Sequence, residues 1–171
     1  RENNCETYPI SWDAAYKGSH NIGKGELKVD PDGNAWLLTR RGMFHCNRQQ
    51  KKVTHIFKTG NTINDLSSSI VITGAFNKYN DLWITSGNGI QVINRNDYAV
   101  LANHTINNGL PSMILRSINT DTAGRIWAGT TSGLGLFNPK NETWRLFNRF
   151  DGMQRDYLDN YVTITRNNKI V

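Results

Sequence analysis

Side chains able to do acid–base or metal chemistry near neutral pH are few in this chain and are not spaced for it. Four histidines, His20, His45, His55 and His104, are the natural candidates. None stands at a zinc or nucleophile spacing, and no HExxH, phosphate-cradling or nucleophile-elbow motif is present. His45 and His55 fall on segments read as outer strands, where an exposed or hydrogen-bonded histidine is expected. Asp30, Asp32, Asp81 and Asp121 could be paired for glycoside hydrolysis. They recur, however, in or near short turns, where Asp accepts hydrogen bonds from its own backbone. The sequence therefore predicts no catalytic residue, no metal site and no cofactor. Cys5 and Cys46 are too few for a disulfide scaffold, and their redox state stays open. Cys46 alternates with Phe44 and reads as a small, buried or half-buried strand residue.

The elements that carry these residues repeat. Trp36, Trp83 and Trp127 head similar phrases: Asp32-Gly33-Asn34-Ala35-Trp36-Leu37-Leu38-Thr39, Asn80-Asp81-Leu82-Trp83-Ile84-Thr85 and Gly124-Arg125-Ile126-Trp127-Ala128-Gly129-Thr130. Their intervals are 47 and 44, and a further 44 lands on Val171 after Asn168-Lys169-Ile170. Gly42, Gly89 and Gly133 each stand six residues after their tryptophan, and Leu66 and Leu110 are 44 apart. A period of 40 to 50 residues holding several short strands is that of β-propeller blades.

The expected fold class is all-β: about three complete four-stranded antiparallel blades plus part of a fourth, a fragment of a larger, seven-bladed propeller. The blades are placed at 26–57, 69–101, 113–147 and, in part, 158–171, within a propeller segment 25–171. Residues 1–24 are a lead-in or the remnant of a preceding blade. One blade cannot cover its own two faces, so Trp36, Trp83 and Trp127 are assigned to packing between blades.

Of 171 residues, 37% are hydrophobic and 10% aromatic, a composition that excludes disorder. No stretch approaches a membrane span, and the start lacks the apolar core of a signal peptide, so no direct membrane contact is expected of this segment. The formal charge is +6, but the basic residues are scattered, with Arg40-Arg41 and Lys51-Lys52 the adjacent pairs. Nucleic acid is not an expected partner. In a propeller, the loops entering the inner strands and those joining second to third strands share one rim. That rule selects Arg40, Arg41, Asn64, Asn88, Asn108 and Arg155 as ligand-binding candidates. Arginine and asparagine suit sugar hydroxyls, and arginine also suits carboxylate or sulfate.

The repeats resemble the two-component regulator propeller repeats in the periplasmic sensor region of hybrid two-component histidine kinases from polysaccharide-degrading gut bacteria. The likeness rests on Leu66-Ser67-Ser68-Ser69, Gly109-Leu110-Pro111-Ser112, Asp121-Thr122-Ala123-Gly124-Arg125-Ile126-Trp127-Ala128-Gly129-Thr130 and Gly133-Leu134-Gly135-Leu136-Phe137-Asn138-Pro139. Copy one departs with Leu37-Leu38, and copy two with Ile84-Thr85-Ser86 and Thr73-Gly74. The resemblance implies a non-enzymatic sensing segment outside the cytoplasm, recognising a glycan-derived oligosaccharide or relaying that signal through propeller packing. The kinase would lie elsewhere in the protein. Expected partners are an oligosaccharide and either a second copy or the remainder of the same propeller. The stretch around Asp121 also echoes the sialidase Asp-box, itself a structural turn. Two alternatives stand beside the sensor: a propeller enzyme similar to the streptogramin lyases, which needs converging His and acidic groups on one rim, and a structural interaction propeller, which needs an apolar rim patch.

Overall fold

A computed structural model describes residues 25–154 and residue 165. Expectations for residues 1–24, Cys5, Arg155 and the partial blade at 158–171 lie outside the described residues, apart from residue 165.

Twelve strands follow one another: β1 (Gly25–Val29), β2 (Ala35–Thr39), β3 (Gly42–Asn47), β4 (Lys52–Phe57), β5 (Val71–Phe76), β6 (Leu82–Ser86), β7 (Gly89–Ile93), β8 (Val100–His104), β9 (Leu115–Thr120), β10 (Ile126–Thr130), β11 (Gly133–Asn138) and β12 (Thr143–Phe147). They form three antiparallel meanders, β1–β4, β5–β8 and β9–β12, each strand pairing with its chain neighbour. These sheets, I, II and III, are propeller blades. Their innermost strands lie side by side, with β5 between β1 and β9. Glu26 Oε2 accepts from the Gly74 N–H at 3.0 Å across the first junction. Gly74, out of place as a strand former, fits there because a Cβ would press into the Leu38 side chain.

Each meander is set by turn chemistry. Gly33, Asn80 and Gly124 occupy the left-handed position of the first hairpin at φ 81°, 68° and 80°, a conformation that glycine and asparagine tolerate. Thr39, Ser86 and Thr130 serve the second hairpin: each hydroxyl donates to the carbonyl of Gly42, Gly89 or Gly133 and accepts the N–H two residues on.

Alternation in sheet II feeds two cores. Leu82, Ile84 and Ile93 pack with Trp36, Leu38, Met43 and Phe57 of sheet I. Trp83, Ile90 and Val92 pack with Leu115, Ile118, Ile126 and Phe137 of sheet III. Strands β6 and β7 are buried throughout because both faces are covered. Trp127, on the far side of sheet III, is half-buried.

The placement of His45 on an outer strand is corrected. It sits on the third strand, β3, buried at 5% exposure, because Trp36 and Tyr98 close over it; His55 lies on the outer strand β4.

Candidate functional site

A groove of about 360 Å³ lies on the flank between sheets I and II, lined by the end of β4, the following loop and the β7–β8 hairpin. The loop is held in shape from within. Leu66 N–H donates to the Lys58 carbonyl at 2.9 Å, and Asp65 Oδ2 accepts the Thr62 N–H at 2.8 Å. Gly60 leaves the space that the Asp65 carboxylate fills. Gln91, buried in β7, accepts from Ser67 N–H at 2.8 Å and donates to the Asp65 carbonyl at 3.3 Å, locking the loop to sheet II. Hydrogen bonds from the Thr62 side chain and backbone hold the Asp65 carboxyl below the usual carboxylate range, so it is ionised at neutral pH.

The opposite wall is Tyr98. Its hairpin is drawn tight by Asn94 Oδ1, which accepts from Asn96 N–H, and Asp97 Oδ1, which accepts from Ala99 N–H. Tyr98 takes φ 64°, the position held by Lys51 and Glu142 in the other sheets. A tyrosine there reaches sheet I: its ring stacks on His55 at 4.3 Å and its hydroxyl lies 3.1 Å from His45 Nδ1. Thr54 Oγ1 meets the same nitrogen at 2.7 Å.

Behind this wall is a cluster of buried polar side chains. His45 Nε2 stands 4.0 Å from Asp30 Oδ2, and Arg95 from sheet II approaches Asp30 at 3.7 Å and pairs with Asp32. Burial pushes the Asp30 carboxyl up, but hydrogen bonds from Trp36 and Asn34 and the Arg95 charge leave it lower than usual. Burial pushes His45 down against the pull of Asp30, and burial alone pushes His55 down. Both shifts favour the neutral imidazole at pH 7, and the link between blades is made by Arg95 of sheet II, which reaches Asp30 and Asp32 of sheet I. Burial likewise raises the Cys46 thiol, which is free and inert in the core.

The described rim residues selected from sequence lie on four different loops. Asn64 lines the groove. Asn88 Nδ2 is bonded to the Ser67 carbonyl, and Asn108 is consumed in a capping box, accepting from Thr105 N–H and donating to the Asn103 carbonyl. Arg40 and Arg41 are exposed on the β2–β3 hairpin. The same rim instead carries Ile63, Ile70, Ile106 and Ile114, between 41% and 81% exposed. Tyr98, Asp97 and Lys58 were missed. The signal available was the left-handed position at intervals of 47 and 44, where an aromatic replaces a charged residue. Among the described residues no group of His, Cys, Asp and Glu could hold a metal ion, and no helix is long and apolar enough to cross a membrane.

The fold is that of solved sensor propellers. The extracellular domain of a putative one component system from B. thetaiotaomicron superposes with a TM-score of 0.74 at 17% identity, over 98% of this chain and 22% of its own length. That of a putative hybrid two component system from the same organism gives 0.67 at 23% identity, over 84% and 19%. The chain thus spans about a fifth of these domains. A catalytically inactive virginiamycin B lyase from Staphylococcus aureus gives 0.59 at 13% identity, over 85% and 53%. No family model and no curated protein matches the sequence.

Proposed function

We propose that this chain is a non-catalytic sensing segment of a hybrid two-component system, working in the periplasm, that recognises a glycan-derived oligosaccharide or relays such recognition through propeller packing. The observation that carries the reading is the superposition of nearly the whole described architecture on the extracellular domain of a sensor. The lyase reading is less well supported. It needs histidines and acids converging on one rim, whereas His45 and His55 lie at the first blade junction and His104 at the second, stacked on Trp83.

The relay arm is supported by four exposed isoleucines in the loops of one rim, Ile63, Ile70, Ile106 and Ile114, apolar side chains that a partner surface would cover. The test is glycan-dependent autophosphorylation of the intact membrane sensor, challenged with partial digests of dietary and host polysaccharides. Stimulation by one digest is the expected result. Indifference to every digest overturns glycan sensing, and turnover of a streptogramin-type substrate overturns the non-catalytic reading. If Ile70→Ser with Ile114→Ser abolishes stimulation but preserves glycan binding, the rim relays; unaffected stimulation removes the relay role.

A further inference from the structure

We propose that the groove between sheets I and II binds one neutral sugar unit and that Tyr98 transmits its occupancy to the polar cluster behind it. The inference rests on the sensing reading and names its ligand class. At about 360 Å³ the groove falls in the size range of small-molecule sites. Half-buried Ile56 and the stacked Tyr98–His55 pair line it with apolar and aromatic surface suited to the C–H face of a pyranose. Asn64, Asp65, Asp97 and Lys58 edge it with acceptors and donors for ring hydroxyls. Two carboxylates stand against one ammonium, and burial keeps His55 uncharged. The groove is therefore locally anionic in a chain whose formal charge is +6, so it disfavours uronates and sulfated sugars that the overall charge would attract. The walls are preorganised: Asp65 is pinned by its loop and Tyr98 by its turn and by His45, which lowers the ordering cost of binding.

Tyr98 is common to both regions. One side of it lines the groove, while its hydroxyl contacts His45 and its ring stands 5.9 Å from Trp36 in the first core. A ligand that shifts Tyr98 therefore moves the partner of His45, which stands 4.0 Å from the Asp30 carboxylate that Arg95 of sheet II approaches.

The full chain is titrated by calorimetry and tryptophan fluorescence with cellobiose, mannobiose and lactose, and with glucuronate-bearing and sulfated disaccharides. At least one neutral disaccharide is expected to bind, and the acidic ones to bind more weakly. Asp97→Asn and Asn64→Ala, both at exposed positions, should weaken that binding about tenfold each with the thermal midpoint unchanged. Tyr98→Phe should retain binding but lose the accompanying His45 imidazole NMR shift. Preference for acidic sugars, neutral-sugar binding untouched by both edge substitutions, or no neutral-sugar binding overturns the proposal. In the intact sensor, glycan-stimulated autophosphorylation that survives both edge substitutions overturns this site alone and leaves the sensing reading standing.

Discussion

Asp30 and Asp121 each join a turn to a core. In each, Oδ1 accepts two backbone N–H groups of the first hairpin, and Oδ2 accepts the indole N–H of the tryptophan six residues on, Trp36 at 3.1 Å and Trp127 at 2.8 Å. Asp121→Asn should cost roughly 1–3 kcal/mol by urea denaturation, because an amide supplies one acceptor where two are used. Sheet II reverses the pattern. Asn77 occupies the aspartate position and Asp81 the position of Asn34, with Asn77 Nδ2 donating to Asp81 Oδ2 at 3.2 Å, and buried Trp83 Nε1 has no partner. Asn77→Asp alone would set two carboxylates together and should not stabilise. With Asp81→Asn added, the arrangement of sheet I is restored and stability should rise by about 1 kcal/mol; an additive double mutant would refute this. The histidines give a pH prediction with a definite sign. Burial lowers His45, His55 and His104 from the ordinary histidine value of 6.5. The unfolded chain therefore takes up protons before the folded one as pH falls, and stability is full above about 6.5 and declines below it. The urea midpoint should drop between about pH 7.5 and about pH 5.5, well before Asp30 and Asp121 are protonated. A flat profile over that interval would show that the three imidazoles are solvated.

At the level of the hairpin, the glycines after the tryptophans form the second-to-third strand reversal. Gly89 and Gly133 have φ 106° and 127°, and a Cβ there would strike the carbonyl oxygens of His104 and Phe147 on the neighbouring strand. Gly109, at φ 96°, faces open space. Gly89→Ala should therefore cost well over 1 kcal/mol and Gly109→Ala only about 1 kcal/mol, compared by thermal melting; equal losses would mean that the strand edge yields. These spacings were legible in the sequence because a meander repeats its turn chemistry at fixed offsets, so strand order and blade class could be read from Trp36, Gly42 and their counterparts. The groove was not legible. It depends on Tyr98 crossing from sheet II to His45 and His55 of sheet I, contacts 53 and 43 residues apart, and the periodic pattern says nothing of which side chain crosses a junction. For a related reason the sequence does not show that the Asn88 and Asn108 amides bond to loop carbonyls.

For the molecule as a whole, the sheets are covered unequally. Sheet II is packed on both faces, so its strands tolerate continuous apolar sequence. Glu26 of β1 reaches toward sheet II to accept from Gly74, so alternation turns Leu27 and Val29 to the opposite face. There they are 60% and 59% exposed, whereas Ile118, the counterpart of Leu27 in sheet III, is 2% exposed. In stacked blades that face is the one a neighbour covers. The isolated chain should accordingly self-associate through β1 as concentration rises, two segments meeting where a ring would continue, and Leu27→Lys with Val29→Lys should suppress it with little loss of fold stability. Sedimentation velocity across a hundredfold dilution range, on the order of micromolar to sub-millimolar, reads the association directly. A monomer stable throughout, or association unaffected by the two lysines, would assign those side chains no role in packing against a neighbour.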